Sequence, residues 1–221
     1  MPGNRTVQMS FDLPVQAAMS VEDFIIDDTN RTAFEIISNW PNWPSNVVVL
    51  AGPVGSGKSH LSAIYANLSG SILLNANDLP RPGDLPQLAD QSAVVEDIHD
   101  ANLDETKLFH LLNHVREQAS SLLITSRTWP ESWALDLPDL RSRLRAAHPL
   151  ELNEPSDVLL KQVLVKLFAD RQLNVEARVL DYLLVRMERS LSAAGSLVDK
   201  LDRLSLERNR PITRQLASEV I

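Results

Sequence analysis

Cysteine is absent from the 221 residues. That excludes disulfides, thiolate metal sites and thiol nucleophiles, and a chain without disulfides suits a reducing compartment, so a cytoplasmic location is expected. Long hydrophobic runs are missing too. None approaches the roughly 20 apolar residues of a membrane span, and the start of the chain lacks the basic-then-apolar pattern of a secretory signal, so no membrane contact is expected. Basic charge is scarce where it would matter for DNA. Residues 1–139 hold 7 Lys and Arg against 18 Asp and Glu, while residues 140–221 hold 14 against 11, for a net charge of −8. Broad DNA binding needs clustered cations to neutralise phosphates, so DNA contact is expected to be indirect or weak. Glycine is the last shortage: there are seven, and three of them stand at 52, 55 and 57.

What remains is ordinary for a globular chain with a core of its own, at 44% hydrophobic and 23% charged residues. Residues 1–20 read as a flexible lead, with prolines at 2 and 14 and small residues between the apolar ones. From residue 47 onward, short apolar runs alternate with helical patterns. Strands are expected at 47–51, 71–74, 93–96, 121–125 and 150–152, and helices at 58–68 and 104–119, the latter with Leu108, Leu111, Leu112 and Val115 on one face. Continuous apolar strands between helices imply an α/β fold with a parallel five-stranded sheet sandwiched by helices. After Pro155 the strand signals stop. Ser156 or Asp157 caps a helix to about residue 171, and further helical patterns cover 176–189, 193–208 and a short terminal stretch. An α/β domain at 21–154 and a small all-helical domain at 155–221, hinged near Pro155, are the expected division.

The concentrated glycines belong to "GPVGSGKS". Gly52, Pro53, Val54, Gly55, Ser56, Gly57, Lys58 and Ser59 match G-x-x-x-x-G-K-[ST] in full, after an apolar strand and before a helix. Glycines let backbone N–H groups converge on phosphate oxygens, and the helix start adds its positive dipole end. Lys58 would neutralise the terminal phosphates, and Ser59 would offer a hydroxyl to Mg²⁺. A second constellation, "AVVEDIHD", ends an apolar strand in acids. Glu96 and Asp97 are the candidates for holding Mg²⁺ through water and for polarising an attacking water.

"FIIDDTNRTAFEII" (24–37), "GPVGSGKSHL" (52–61), "VVEDIHD" (94–100), "LLITSR" (122–127) and "LPDLRSRL" (137–144) stand in the order found in AAA+ ATPases of the DnaA type. The chain resembles that family over about 22–221. It is most similar to the regulators within it that consist of little more than the AAA+ module. The resemblance implies ADP or ATP at the loop, with His60 part of the loop signature and Phe24 and Ile25 beside the base. It implies that Ser126, ending the sensor strand, bonds the attacking water or terminal phosphate. Arg143 would be an arginine finger reaching a neighbour's nucleotide, with Arg141 and Arg145 as alternatives. It also implies DnaA as a partner whose bound ATP is hydrolysed under stimulation, and association between AAA+ modules, including a homo-oligomer. Gln8, Met9, Ser10, Phe11, Asp12 and Leu13 resemble the short peptide that docks on the sliding clamp, the β subunit of DNA polymerase III. The glutamine would bond at a pocket rim, and Met9, Phe11 and Leu13 would fill apolar grooves.

Three departures bear on activity. Glu96 replaces the family's metal-linked aspartate, Arg127 follows the sensor strand where DnaA has an acid, and aligning "LVDKLDRL" puts Gly195 near the place of the lid arginine, with Arg189 one to two turns away. Together they predict nucleotide binding with weak or no intrinsic ATPase. The alternatives are a self-sufficient ATPase acting as motor or loader, which needs standard acids and a lid arginine, and a DnaA-like recruitment factor at DNA, which needs a basic surface.

Overall fold

The computed structural model describes residues 19–98 and 103–221. The expected docking peptide at 8–13 lies outside them. Along the chain run α1 (Arg31–Ser38), β1 (Val47–Ala51), α2 (Lys58–Ser69), β2 (Ile72–Asn75), β3 (Ala93–Ile98), α3 (Glu105–Glu117), β4 (Leu122–Ser126), α4 (Pro138–Arg145), β5 (His148–Glu151), α5 (Asp157–Asp170), α6 (Ala177–Leu184), α7 (Leu191–Arg208) and α8 (Arg214–Ala217).

Strands that are apolar throughout can be hidden on both faces, and β1, β3 and β4 take the middle of a five-stranded sheet ordered β2-β3-β4-β1-β5. Every pairing is parallel. Successive side chains point to opposite faces. Val49, Val95 and Ile124 therefore pack with Leu108, Leu111 and Leu112 of α3 and Leu140 of α4. Val48, Leu50, Val94 and Leu123 pack on the other face with Ile37 of α1 and Leu61, Ile64 and Tyr65 of α2. This is the expected α/β class, with its parallel five-stranded sheet between helices. The "WPNWP" stretch is a packing corner: Trp43 stacks on Tyr65 at 4.5 Å, and the indole N–H of Trp40 donates to Ser121 Oγ at 2.9 Å.

Helices α5 to α8 bury a separate core that includes Leu164, Phe168, Val179, Leu183, Val198 and Leu201. Among the described residues, three ties hold this helical part to the sheet part. Ser156, which accepts from Leu159 N–H as the N-cap of α5, donates its hydroxyl to Asp27 at 2.6 Å. Lys166 of α5 pairs with Asp23 at 2.8 Å. The N–H of Leu191, at the start of α7, donates to Gly55 O at 2.8 Å.

Candidate functional site

β1 ends at Ala51 between β4 and β5, and residues 52–57 form the turn into α2. Gly52 N–H donates to Ser126 O at 3.2 Å, which seats the turn on the carboxyl end of the sheet, where ligands of open parallel sheets bind. A methyl group at Gly52 would lie 2.5 Å from the Leu152 carbonyl oxygen. Gly55 and Gly57 have φ of +72° and +105°, the left-handed region that glycine adopts without strain. The first amides of α2 lack intrahelical acceptors and present the positive end of the helix dipole. Lys58 folds back over the turn, its ammonium donating to Gly52 O and Pro53 O at 2.7 Å each. Ser56 Oγ is buried beneath without a hydrogen-bond partner. A glycine turn opening a helix, a poised ammonium and an unpartnered buried hydroxyl fit a phosphate chain. Burial pushes the Lys58 ammonium below the ordinary lysine range; the Asp97 carboxylate opposes this and the Arg127 guanidinium adds to it.

The acid pair stands beside this turn at the end of β3. Asp97 has φ of +51°, and its N–H donates to Thr125 Oγ1 at 2.9 Å. Its carboxylate accepts two bonds from Arg127, Nε at 3.1 Å and Nη2 at 2.8 Å, and this pairing holds the Arg127 guanidinium above its ordinary value. Glu96 is half-buried and opposite Asn75 of β2. Ser126 does not present its hydroxyl as the resemblance implied. The side chain is fully buried and donates to Ile98 O at 2.7 Å, because an irregularity in the β3–β4 register between Val95 and Ile98 carries that carbonyl over it. Ser59 is exposed on the first turn of α2. Among the described residues no cluster of three or more His, Asp or Glu forms a metal cage.

The segment before α1 walls the other side. Phe24 stacks on Phe34 with centroids 5.1 Å apart and meets His60 edge-on at 5.1 Å. One of its ring carbons lies 3.9 Å from where a methyl at Gly57 would stand. The His60 Nε2–H donates to Ser20 O at 2.9 Å, so this residue pins the lead to α2. Ile25 is half-buried, and its carbonyl accepts from the buried Asn30 side chain, which in turn accepts from Asp27 N–H. Burial opposes ionisation of Asp27, but the hydroxyls of Ser156 and Thr29 outweigh it and hold the carboxyl below its usual range.

The helical part reaches the turn through residues that the sequence reading missed. A methyl at Gly55 would lie 2.5 Å from Ser190 Cβ and 2.7 Å from Ser192 Oγ, whereas around Gly195 there is open space. The helix was expected to begin at 193. It begins at Leu191, with Ser190 as its N-cap accepting from Ala193 N–H, and the offset places Ser190 and Ser192 at the site rather than Gly195. The Ser-x-x-Ala spacing after Arg189 was the available signal. Arg189 itself pairs with Asp157 at 2.6 Å.

Arg143 is elsewhere. Glu105 at the start of α3 accepts the N–H groups of Asp136 and Leu137 at 2.8 Å each, which anchors the entry to α4. The Arg143 guanidinium lies 5.0 Å over the Phe109 ring. It lines a cavity of about 220 Å³ with Arg116, Ser45, Asn46 and Val47, at the amino end of β1 and so at the opposite edge of the sheet from Lys58. Arg141 and Arg145 are exposed.

A parallel sheet ordered β2-β3-β4-β1-β5, a glycine turn after β1 and a helical part docked on that turn make up a fold shared with replication and recombination proteins of known structure. Domain III of the Thermotoga maritima replication initiator DnaA is similar at a TM-score of 0.76 and 17% identity, over 94% of this chain and 97% of that one. AMPPCP-bound DnaA of Aquifex aeolicus matches at 0.69 and 18%, over 86% and 68%. The Thermotoga maritima RuvB Holliday junction branch migration motor matches at 0.72 and 19%, over 91% and 70%. A protein of Haemophilus influenzae described as uncharacterized is 27% identical over 188 residues, 77% of this chain and 79% of its own. Residues 160–221 match the family described as "Hda, lid domain", and the chain as a whole shares the fold of DnaA domain III.

Proposed function

We propose that the protein is a regulator of replication initiation that acts on a nucleotide held by another molecule. Residues 52–59, with Phe24 and Ile25 beside the base, bind ADP or ATP; Ser59, Glu96 and Asp97 would hold Mg²⁺. The bound nucleotide supplies the phosphate charge that the turn amides and Lys58 neutralise, and it cements the lid at Ser190 to the sheet domain. The working division falls near Pro155, where Ser156 ties α5 to Asp27. The peptide at 8–13 docks on the sliding clamp of DNA polymerase III, and Arg143 is offered to ATP on DnaA, stimulating its hydrolysis. Association with DnaA follows AAA+ packing, which also permits a homo-oligomer.

One observation carries this reading. The candidate finger stands at the opposite end of the strands from its own phosphate turn, a position that supports action on a neighbour's nucleotide rather than its own. The Hda-type lid and the AMPPCP bound by the DnaA of similar fold support it. The pairing of Asp97 with Arg127 also disfavours a self-sufficient motor.

The test is hydrolysis of DnaA-bound ATP in the presence of this protein, clamp and DNA. Arg143→Ala is expected to cut the stimulation by at least about tenfold while leaving the protein's own nucleotide affinity unchanged. Deleting 8–13 is expected to remove both clamp binding and stimulation. Rapid ATP hydrolysis by the protein alone, indifferent to DnaA and clamp, would sink the reading.

A further inference from the structure

We propose that Arg127 exchanges partners. It leaves Asp97 for the terminal phosphate of a bound nucleoside triphosphate and returns to Asp97 when only a diphosphate is present, which makes it the residue that distinguishes the two ligands. The inference rests on nucleotide binding at 52–59.

Position comes first. Arg127 directly follows Ser126, whose backbone pairs with Ala51 and whose carbonyl receives the Gly52 N–H. Its side chain therefore springs from the shoulder of the turn, and its charge acts on the Lys58 ammonium across the site. Mobility comes second. The Arg127 and Asp97 side chains are 50% and 44% exposed, and an ion pair that open to water is weakly held. A phosphate carries more charge than a carboxylate and suits the same two-pronged donor geometry, so it competes well for a guanidinium.

Supply comes third. The helical part brings the hydroxyls of Ser190 and Ser192 and the N–H of Leu191 to the turn, and Arg189 is engaged with Asp157. Arg127 thus offers the site a guanidinium from the sheet side.

Titration calorimetry on the full-length protein tests this with AMPPCP and ADP, in EDTA so that any metal role of Asp97 does not enter. Arg127→Ala should weaken AMPPCP by about tenfold and ADP by less than about twofold. Arg127→Gln, which keeps polarity and most of the reach, should lose discrimination to the same degree. Asp97→Asn, which removes the competing anion, should strengthen AMPPCP more than ADP. Equal weakening of both ligands by Arg127→Ala, or an unchanged ratio in either Arg127 variant, overturns the exchange while leaving nucleotide binding intact. Absence of heat with both ligands in the unaltered protein overturns the nucleotide reading itself.

Discussion

Single positions decide whether the phosphate turn can form. Gly52 is the strictest, because the atom a methyl would meet is the main-chain oxygen of Leu152 at 2.5 Å and cannot swing aside. Gly52→Ala is expected to lower stability by about 1–3 kcal/mol, read as a fall in thermal midpoint, together with loss of nucleotide affinity. Lys58→Ala removes the ammonium that folds back over the turn and should abolish the heat of nucleotide binding with little change in melting. These residues were legible because their chemistry is local: a glycine pattern between a strand and a helix leaves few alternatives. Ser190 and Ser192 were not, since their place depends on how a distant helix docks on Gly55. Ser126 was legible as a strand end but not in its orientation, which an irregularity in the neighbouring strand decides.

At the level of elements, caps and anchors aim the working surfaces. Ser156 both caps α5 and reaches Asp27. Ser156→Ala is expected to cost about 1 kcal/mol for the cap alone and to loosen the start of α5, seen as faster amide exchange at Leu159 and Leu160. Strands β1, β3 and β4 could be read from uninterrupted apolar runs, whereas α1 could not. It has no acid in its first turn and no side-chain cap, because Asn30, which stands in the N-cap position, uses its amide on Ile25 and Asp27 instead. The helix read at 176–189 is shorter, ending at Leu184, because apolar spacing continues through Met187 after the hydrogen-bonded repeat stops.

Across the molecule, charge binds the two cores together. The Lys166 ammonium, helped by Ser20, holds the Asp23 carboxyl below its ordinary 3.8, and Asp27 is lowered in the same direction. A lowered folded-state pKa adds stability that is present above the unfolded value and is lost as pH falls through the folded one. The lid contacts are therefore expected to weaken as acidity passes below about pH 4. A pH series of thermal midpoints should show this loss, and Asp27→Asn should flatten it. The sequence pattern sufficed for the layered sheet and the separate helical core, but not for these ties, which join residues more than a hundred positions apart. One tie has a further consequence. His60 grips the carbonyl of Ser20 at the rim of the site, which fixes the place of Ser20 on the body. Seven peptide links from there to Leu13 reach at most about 25 Å. If the peptide at 8–13 docks as proposed, whatever grasps it would be held within that span of the glycine turn, at a local concentration that diffusion alone would not sustain.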